Sequence, residues 1–274
     1  MTAQIRIGVG GWTFEPWRGV FFPDGLRQKD ELSYMSRRLT AIEVNGTYYG
    51  LQKPETFAKW AAEAPDGFVF TLKGSRYATN RRVLAEAGES VDRFVGQGIA
   101  ELGDKLGPLL WQFAPTKKFD AADFEGFLAV LPRTLNGRDL RHCVEVRNPT
   151  FVDPAFIALL RKHEVAPVFA DHATYPAIGD VTTDFVYARL QTGSDDVETA
   201  YSAKDLDTWA GRLTEWARGG SPAHLEVDPE NRPKAQPRDV FAFIIHEGKV
   251  RAPAGAQALI ARIDPALSPP VEAG

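Results

Sequence analysis

The chain has little cysteine and no long apolar run. Cys143 is the only cysteine among 274 residues, which excludes an intrachain disulfide and a metal site built from several thiolates. The opening segment MTAQIRIGVGGW lacks a basic stretch followed by a long apolar one, and no later run reaches the length of a membrane helix. These absences predict a cytoplasmic protein without a membrane segment.

Positive charge is not in excess either. The chain has 32 Lys and Arg residues against 36 Asp and Glu, a net charge of −4. Nucleic-acid-binding domains usually carry a basic excess, so nucleic acid is not an expected partner. The GxxxxGK, GxGxxG and GxSxG motifs are absent as well. Their absence argues against P-loop hydrolysis, dinucleotide chemistry and serine hydrolysis, and no cofactor is predicted.

Short apolar runs alternate with amphipathic helical segments along the whole chain, which is typical of parallel α/β folds. The strand candidates are 5–12, 40–47, 68–75, 108–113, 142–147, 167–171, 185–191 and 239–245. Eight such units predict one closed (β/α)8 barrel of the TIM type rather than an open doubly wound sheet. We expect a single domain over residues 5–263, an irregular surface segment over 219–238, and a loose C-terminal tail over 264–274.

Polar residues gather at the predicted C-terminal ends of the strands, where a barrel of this type carries its functional face. Residues two apart on a strand share a face, so Glu145 and Arg147 in HCVEVRN point the same way. The side chains expected to converge are Glu43, Asn45, Lys73, Gln112, Glu145, Arg147, Asp171 and Arg189. Three acids would then face three bases, which offsets the cost of burying them. The alternative is a salt-bridge network that closes the barrel end without chemistry.

Aromatic and histidine residues near the strand ends are open to two interpretations. Trp12 is either a stacking platform for a ligand or a lid on the barrel, and Tyr48 lines the pocket or belongs to the core. His172 and His246 are possible metal ligands together with the three acids, but no HExxH spacing is present. No metal site is therefore predicted.

Eight segments together resemble one known family. GVGGWTFEPW, FFP, IEVNGTYY, FTLK, LGPLLWQFAP, VEVRNPTF, FAD and YARLQTG occur in an order similar to that of the domain-of-unknown-function 72 (DUF72, YecE-like) family, over residues 5–263. The resemblance implies a TIM-type barrel and no established activity. The positions that match the family's polar and aromatic pattern are Trp12, Glu43, Asn45, Tyr48, Lys73, Gln112, Glu145, Arg147, Asp171 and Arg189.

The chain also departs from that pattern. Asn80, Asn148 and Gln191 occupy positions where the resemblance leads us to expect other residues, a histidine in the case of Asn80. The last strand reads Phe-Ile-Ile at 243–245 in place of Phe-Asn-Asn. These departures argue against acid–base chemistry centred on histidine and leave the carboxylates and cations.

We therefore predict an enzyme that acts on a small polar, anionic or sugar-like substrate. Arg147 and Arg189 would hold a carboxylate or phosphate, aided by Trp12, Asn45, Tyr48 and Gln112. Glu43 or Glu145 would act as general base, with Asp171 as a further catalytic acid. Lys73 would be an electrophile or a Schiff-base nucleophile. This set suits an isomerase or lyase, and the carboxylates would equally permit glycoside hydrolysis.

Two other functional classes remain open from the sequence. One is a non-catalytic protein that binds a ligand or a nucleic-acid phosphate with the same cluster, which the missing basic excess disfavours. The other is a metal-dependent barrel isomerase or nuclease, which acids on three strands favour and the scarcity of histidines disfavours. Neither the substrate nor the oligomeric state follows from the sequence.

Overall fold

Eight parallel strands close into a barrel in a computed structural model, which describes residues 3–272 except the side chains of Ala223 and His246. The strands are β1 Ile5–Gly10, β2 Ala41–Val44, β3 Val69–Lys73, β4 Leu106–Gln112, β5 His142–Glu145, β6 Val165–Asp171, β7 Phe185–Thr192 and β8 Asp239–Glu247. Each strand pairs in parallel with its neighbours, and β1 pairs with β8. The predicted (β/α)8 barrel is confirmed.

Helices connect successive strands except β6 and β7, whose described link, residues 172–184, contains no helix. The α-helices are α1 Glu31–Ser36, α2 Gly46–Tyr49, α3 Pro54–Glu63, α4 Arg76–Thr79, α5 Gly88–Val95, α6 Ala121–Ala129, α7 Pro154–Lys162, α8 Ala203–Ala217 and α9 Ala252–Ile260. Short 3-10 helices cover Glu15–Trp17, Gln28–Asp30, Leu84–Glu86, Ile99–Lys105, Pro149–Phe151, Ala223–Leu225 and Pro229–Asn231. No helix within the described range is long and apolar enough to cross a membrane.

Several helices begin where the sequence carries a capping residue. The side chains of Asp120, Asp153 and Ser202 accept hydrogen bonds from backbone N–H groups in the first turns of α6, α7 and α8. α5 ends at Val95, and Gly98 takes a positive φ of 108° before the 3-10 turns that follow.

Five strands end earlier than the sequence pattern predicts. They end at Gly10 (β1), Val44 (β2), Lys73 (β3), Gln112 (β4) and Glu145 (β5). Trp12, Asn45 and Arg147 therefore lie in the loops after their strands, where side-chain direction no longer follows strand alternation. The sequence pattern also missed a two-stranded hairpin of Thr134–Leu135 with Arg138–Asp139.

The barrel interior changes from apolar to polar along its axis. Val69, Phe185 and Phe241 belong to an apolar cluster inside the lower barrel. Ile7 and Val9 on β1 belong instead to the core between barrel and helices. The apolar interior stops below the C-terminal strand ends, where charged and amide side chains replace it.

Two irregular segments are held to the rest of the fold by hydrogen bonds and an ion pair. Leu267 O accepts a hydrogen bond of 2.6 Å from Ile5 N, and Glu272 forms a 3.2 Å ion pair with Arg37. The described part of the expected loose tail is thus attached to the N-terminal end of the barrel. In the segment 219–238, Val227 N and Asp228 N donate to the Asp180 carboxylate at 2.7 and 2.9 Å.

The backbones of β1 and β2 approach each other closely at Gly8. A Cβ on Gly8 would lie 1.9 Å from Ala41 O, and only movement of backbone could relieve that overlap. We expect Gly8→Ala to lower the free energy of unfolding by about 3 kcal/mol, measured by urea denaturation. Gly211→Ala in α8, where a Cβ meets no atom within 4 Å, should instead raise it by about 0.5–1 kcal/mol. A Gly8→Ala protein as stable as wild type would contradict this packing.

Candidate active site at the barrel mouth

The buried guanidinium of Arg189 lies at the centre of the barrel mouth. Arg189 is on β7 between Tyr187 and Gln191, and Tyr187 belongs to the apolar cluster inside the barrel, so this face of the strand points inward. A buried guanidinium is costly unless acids and hydrogen bonds compensate it. The compensation comes from carboxylates on β2 and β5, which surround Arg189 from two sides of the barrel.

Glu43 on β2 is fully committed to hydrogen bonds. Arg189 Nε and Nη2 donate to its two carboxylate oxygens at 3.1 Å each, a bidentate pairing. The Tyr187 hydroxyl donates to Oε2 of Glu43 at 2.8 Å and lies 2.9 Å from Thr71 Oγ1. Burial, followed by the nearby Glu43 charge, raises the pKa of Tyr187, so its hydroxyl keeps its proton.

Glu145 on β5 is held by three donors. Arg189 Nη1 donates to one carboxylate oxygen, while Arg147 Nε and Gln112 Nε2 donate to the other at 2.7 and 3.2 Å. Desolvation opposes the ionised form, but the charges of Arg189 and Arg147 outweigh it and lower the pKa of Glu145 to about 2. Glu145 is therefore a carboxylate at neutral pH and a weak base.

Lys73 at the end of β3 has a different environment. It is only 8% exposed, and its Nζ has no salt-bridge partner among the described residues. Its described contact is the ring of Tyr48, whose centroid lies 4.4 Å from Nζ. Burial, and then the charge of Arg189, lower the pKa of Lys73 to about 8. Part of the Lys73 population is therefore a neutral amine near physiological pH.

A cavity of about 350 Å³ opens above these residues. Its lining includes the predicted residues Asn45, Lys73, Gln112, Arg147 and Arg189, so the predicted convergence holds for these five. Trp17, Gln191 and Lys249 also line it and were not among the predicted site residues. Both side-chain polar atoms of Gln191 are buried without a hydrogen-bond partner. A buried unpaired amide is costly, which makes it a position suited to a ligand.

The two aromatic residues among the predicted site residues, Tyr48 and Trp12, differ in whether they lie at the cavity. Tyr48 covers Lys73, and its hydroxyl accepts a 3.3 Å hydrogen bond from Asn80. Trp12 packs edge-on against Trp60 at 5.0 Å and does not line the charged cavity. Trp12 therefore belongs to the packing between the barrel and its helices, and its contact with substrate stays a prediction.

Asp171 does not join the cluster, contrary to the expected convergence of three acids. On β6, Val168 belongs to the barrel interior whereas Phe169 packs against α8. Asp171 shares the outward face of Phe169. Its carboxylate accepts hydrogen bonds from Thr192 and, at 3.4 Å, from Tyr201.

The sequence contains little indication that some residues lie at the barrel mouth. Tyr175, in the loop after β6, stacks on His172 at 3.7 Å and lies beneath the Arg147 guanidinium at 4.5 Å. Lys249 follows β8, and its carbonyl accepts a 2.7 Å hydrogen bond from Trp17 Nε1. Loop positions such as these have no strand alternation from which to predict direction. Gln191, by contrast, lies two residues after Arg189 on β7, so strand alternation places both side chains on the same inward face.

Metal-ligating groups are not clustered in the described part of the chain. No three His, Cys, Asp or Glu side chains there are placed to hold one ion. The acids considered as ligands are separated, because Glu43 and Glu145 bind Arg189 and Asp171 faces outward. The side chain of His246, the other possible ligand, lies outside the described residues.

Comparison with known proteins agrees with the barrel and its motifs. A family described as "Protein of unknown function DUF72" matches residues 6–273. The chain belongs to the DUF72 family. The UPF0759 protein YecE of Escherichia coli K12 is 27% identical over 151 residues, 54% of this chain and 50% of that protein. The DUF72 chain thus spans about half the length of the curated relatives it matches.

Solved DUF72 structures share the fold. A DUF72 protein of Thermotoga maritima superimposes with a TM-score of 0.68 at 22% identity, covering 93% of this chain and 96% of that one. A DUF72 protein of Enterococcus faecalis gives 0.68 at 16% identity, covering 94% and 95%. At these identities the likeness shows the fold alone.

The pairing of Glu145 in this DUF72 barrel predicts an acid-dependent stability. Its folded pKa lies below the ordinary value of 4.5, so the stabilisation is present above about pH 4.5 and is lost as the pH falls towards 2. We expect Glu145→Gln to lower the free energy of unfolding at pH 7 by about 3–5 kcal/mol, because Arg189 loses a buried partner. The variant should also depend less on pH between 5 and 2.

Urea denaturation at a series of pH values measures both effects. Asp104→Asn is the matched control, because Asp104 pairs with Arg138 on the surface and its loss should change stability by less than about 1 kcal/mol. If Glu145→Gln kept the acid dependence of the wild type, the ion pair with Arg189 would not be the source of that dependence.

Proposed function

We propose that the barrel mouth is an active site that binds a small anionic substrate and carries out acid–base chemistry on it. The observation that carries this proposal is an imbalance of charge. Lys73, Arg147, Arg189 and Lys249 line the cavity, whereas the two carboxylates beneath it are fully buried and already hydrogen-bonded. A carboxylate or phosphate group would supply the missing negative charge.

The two arginines have different roles in this proposal. Arg189 is held by Glu43 and Glu145 and acts as a fixed positive charge at the floor of the cavity. Arg147 uses only Nε on Glu145, and its side chain is 18% exposed. Its remaining N–H donors are therefore the ones available to a ligand anion. Gln112 and Gln191 add amide groups for neutral polar atoms of the substrate.

Lys73 is the group best suited to act on a substrate, either as a base or as a nucleophile. An efficient general base has a pKa near the working pH, and the pKa of Lys73 is about 8. Glu145, with a pKa of about 2, is a much weaker base. The general-base roles suggested for Glu43 and Glu145 stay predictions, and their hydrogen bonds favour positioning of the arginines.

This arrangement favours proton transfer next to a carbonyl, as in an isomerase or lyase, over glycoside hydrolysis. A glycosidase needs one carboxyl group to protonate the leaving oxygen and a second carboxylate to activate water or attack carbon. Glu43 and Glu145 are both tied to Arg189, and neither side chain is exposed to the cavity solvent. Lys73, by contrast, lines the cavity.

A second candidate is binding of an extended polyanion such as nucleic acid. A groove of about 690 Å³ beside Tyr48 is lined by Arg81, Arg82, Lys117 and Lys118, together with Asp120 and Asp123. One of these cations is partly occupied, because Lys117 Nζ donates to the backbone carbonyls of Arg81 and Arg82 at 2.8 and 2.9 Å. The groove favours this candidate, and the chain's net charge of −4 disfavours it.

Thermal unfolding against a ligand panel tests the proposal. The panel contains inorganic phosphate, phosphorylated and carboxylated metabolites, and a single-stranded oligonucleotide. A small anion at about 100 times its dissociation constant stabilises the fold by roughly 2.7 kcal/mol, which raises the midpoint of a chain of this length by about 5 °C. We expect Arg147→Ala to abolish this shift, because it removes the N–H donors available to the anion.

The control removes an arginine from the opposite end of the barrel. Arg138 pairs with the exposed Asp104, and Arg138→Ala should keep the full ligand shift. An equal shift in wild type and Arg147→Ala would contradict anion binding at the mouth. A shift produced only by the oligonucleotide and retained in Arg147→Ala would favour the second candidate.

A further inference from the structure

The environment of Lys73 separates it from other lysines of the chain. Lys59 and Lys162 pair with Glu63 and Glu125, and Lys105 Nζ donates to two backbone carbonyls at 2.7 Å. These contacts hold the ammonium form. Lys73 Nζ has the face of the Tyr48 ring at 4.4 Å and the open cavity, with no salt bridge to any residue in the described range.

Two arginines and two glutamates surround Lys73 and act on its amine in opposite directions. Arg189 on β7 and Arg147 after β5 disfavour a further positive charge, whereas Glu43 on β2 and Glu145 on β5 favour it. Both glutamates are neutralised by direct pairing with these arginines. Desolvation of the amine is the largest effect, and it acts in the same direction as the arginines.

We propose that Lys73 forms a covalent imine with an aldehyde or ketone that also carries a carboxylate or phosphate group. The inference rests on the proposed function, since the anionic group of the substrate is the one that Arg147 binds. It adds the substrate class, an anionic carbonyl compound, and it assigns Lys73 as the nucleophile. A desolvated lysine among other cations is a known way to activate an amine for this chemistry.

The step is balanced without any further reagent. The neutral Lys73 amine attacks the carbonyl carbon, the C=O π bond breaks, and a proton moves from nitrogen to oxygen to give a carbinolamine. Protonation of the hydroxyl group and loss of water then give a protonated imine. Overall, the ammonium form of Lys73 and the carbonyl compound yield the iminium ion and one water molecule. No oxidation or reduction occurs.

Neighbouring groups fit both ends of such a substrate. The face of the Tyr48 ring, which now covers the amine, would contact the iminium cation. Gln191 has an unpaired donor and an unpaired acceptor buried at the cavity, suited to a hydroxyl group on the substrate. A cavity of about 350 Å³ lies in the range of small-molecule sites.

Reductive trapping tests the inference on the full chain. The protein is incubated with glyoxylate, an anionic aldehyde, and then reduced with sodium borohydride, which converts an imine to a stable secondary amine. Peptide mass spectrometry locates the adduct. We expect one principal adduct, on Lys73. Lys73→Arg should lose it, while Lys105→Arg, which changes a part-buried lysine outside the cavity, should keep it.

A neutral aldehyde separates the amine's reactivity from anion binding. Acetaldehyde has the reactive carbonyl but no anionic group for Arg147. We expect Arg147→Ala to lower the glyoxylate adduct on Lys73 at least about tenfold more than the acetaldehyde adduct, because it removes charge-assisted hydrogen bonds to the carboxylate. Equal losses with the two aldehydes would overturn the assignment of an anionic carbonyl substrate.

The remaining outcomes distinguish this inference from the proposed function. An adduct mainly on Lys249, or spread over exposed lysines, would overturn the role of Lys73. A thermal shift with anions that Arg147→Ala abolishes, without any adduct on Lys73, would overturn the imine and leave the anion-binding active site standing. Failure of both the thermal shift and the trapping would overturn both.

Discussion

The ion pairs of Arg189 with Glu43 and Glu145 are the interaction on which the barrel mouth depends. Arg189 donates to carboxylates from two other strands, so β2, β5 and β7 are connected across the barrel interior. Removal of Arg189 would leave two buried carboxylates without this partner, and removal of either glutamate would leave Arg189 with one partner instead of two, at a cost of about 3–5 kcal/mol. The same interaction therefore stabilises the upper barrel and fixes the charges that a substrate would meet.

The chemistry expected at the barrel mouth depends on which charged groups the Arg189 network pairs and which it leaves unpaired. Glu43 and Glu145 are saturated by hydrogen bonds, which withdraws them from the cavity and, for Glu145, lowers the pKa. Lys73 receives no acid and is left beside the cavity under the ring of Tyr48. A structural ion-pair network and an active site are thus not exclusive alternatives here. The paired charges form the floor, and the unpaired amine is the reactive group.

Strand periodicity predicted the position of most of the charged residues at the barrel mouth, and each wrong prediction has an identifiable cause. Alternation along β2, β3, β5 and β7 placed Glu43, Lys73, Glu145 and Arg189 correctly, because each lies within its strand. Asp171 ends β6 in the outward phase, which only the packing of Phe169 on α8 reveals. Trp12, Tyr175 and Lys249 lie in loops, where tertiary contacts set the direction of a side chain. The ion pairs could not be predicted either, because the sequence does not show which acid Arg189 binds.

The titration of the Lys73 amine tests the central claim most directly. The side-chain nitrogen signals of isotopically labelled lysines can be followed by NMR as a function of pH, with Lys73→Arg identifying the signal of Lys73. We expect Lys73 to titrate with a pKa of about 8, well below the ordinary value of 10.5. A titration near 10.5 would contradict the claim, because it would mean that an acid or the solvent stabilises the ammonium form and that Lys73 is not the amine left over by the Arg189 network.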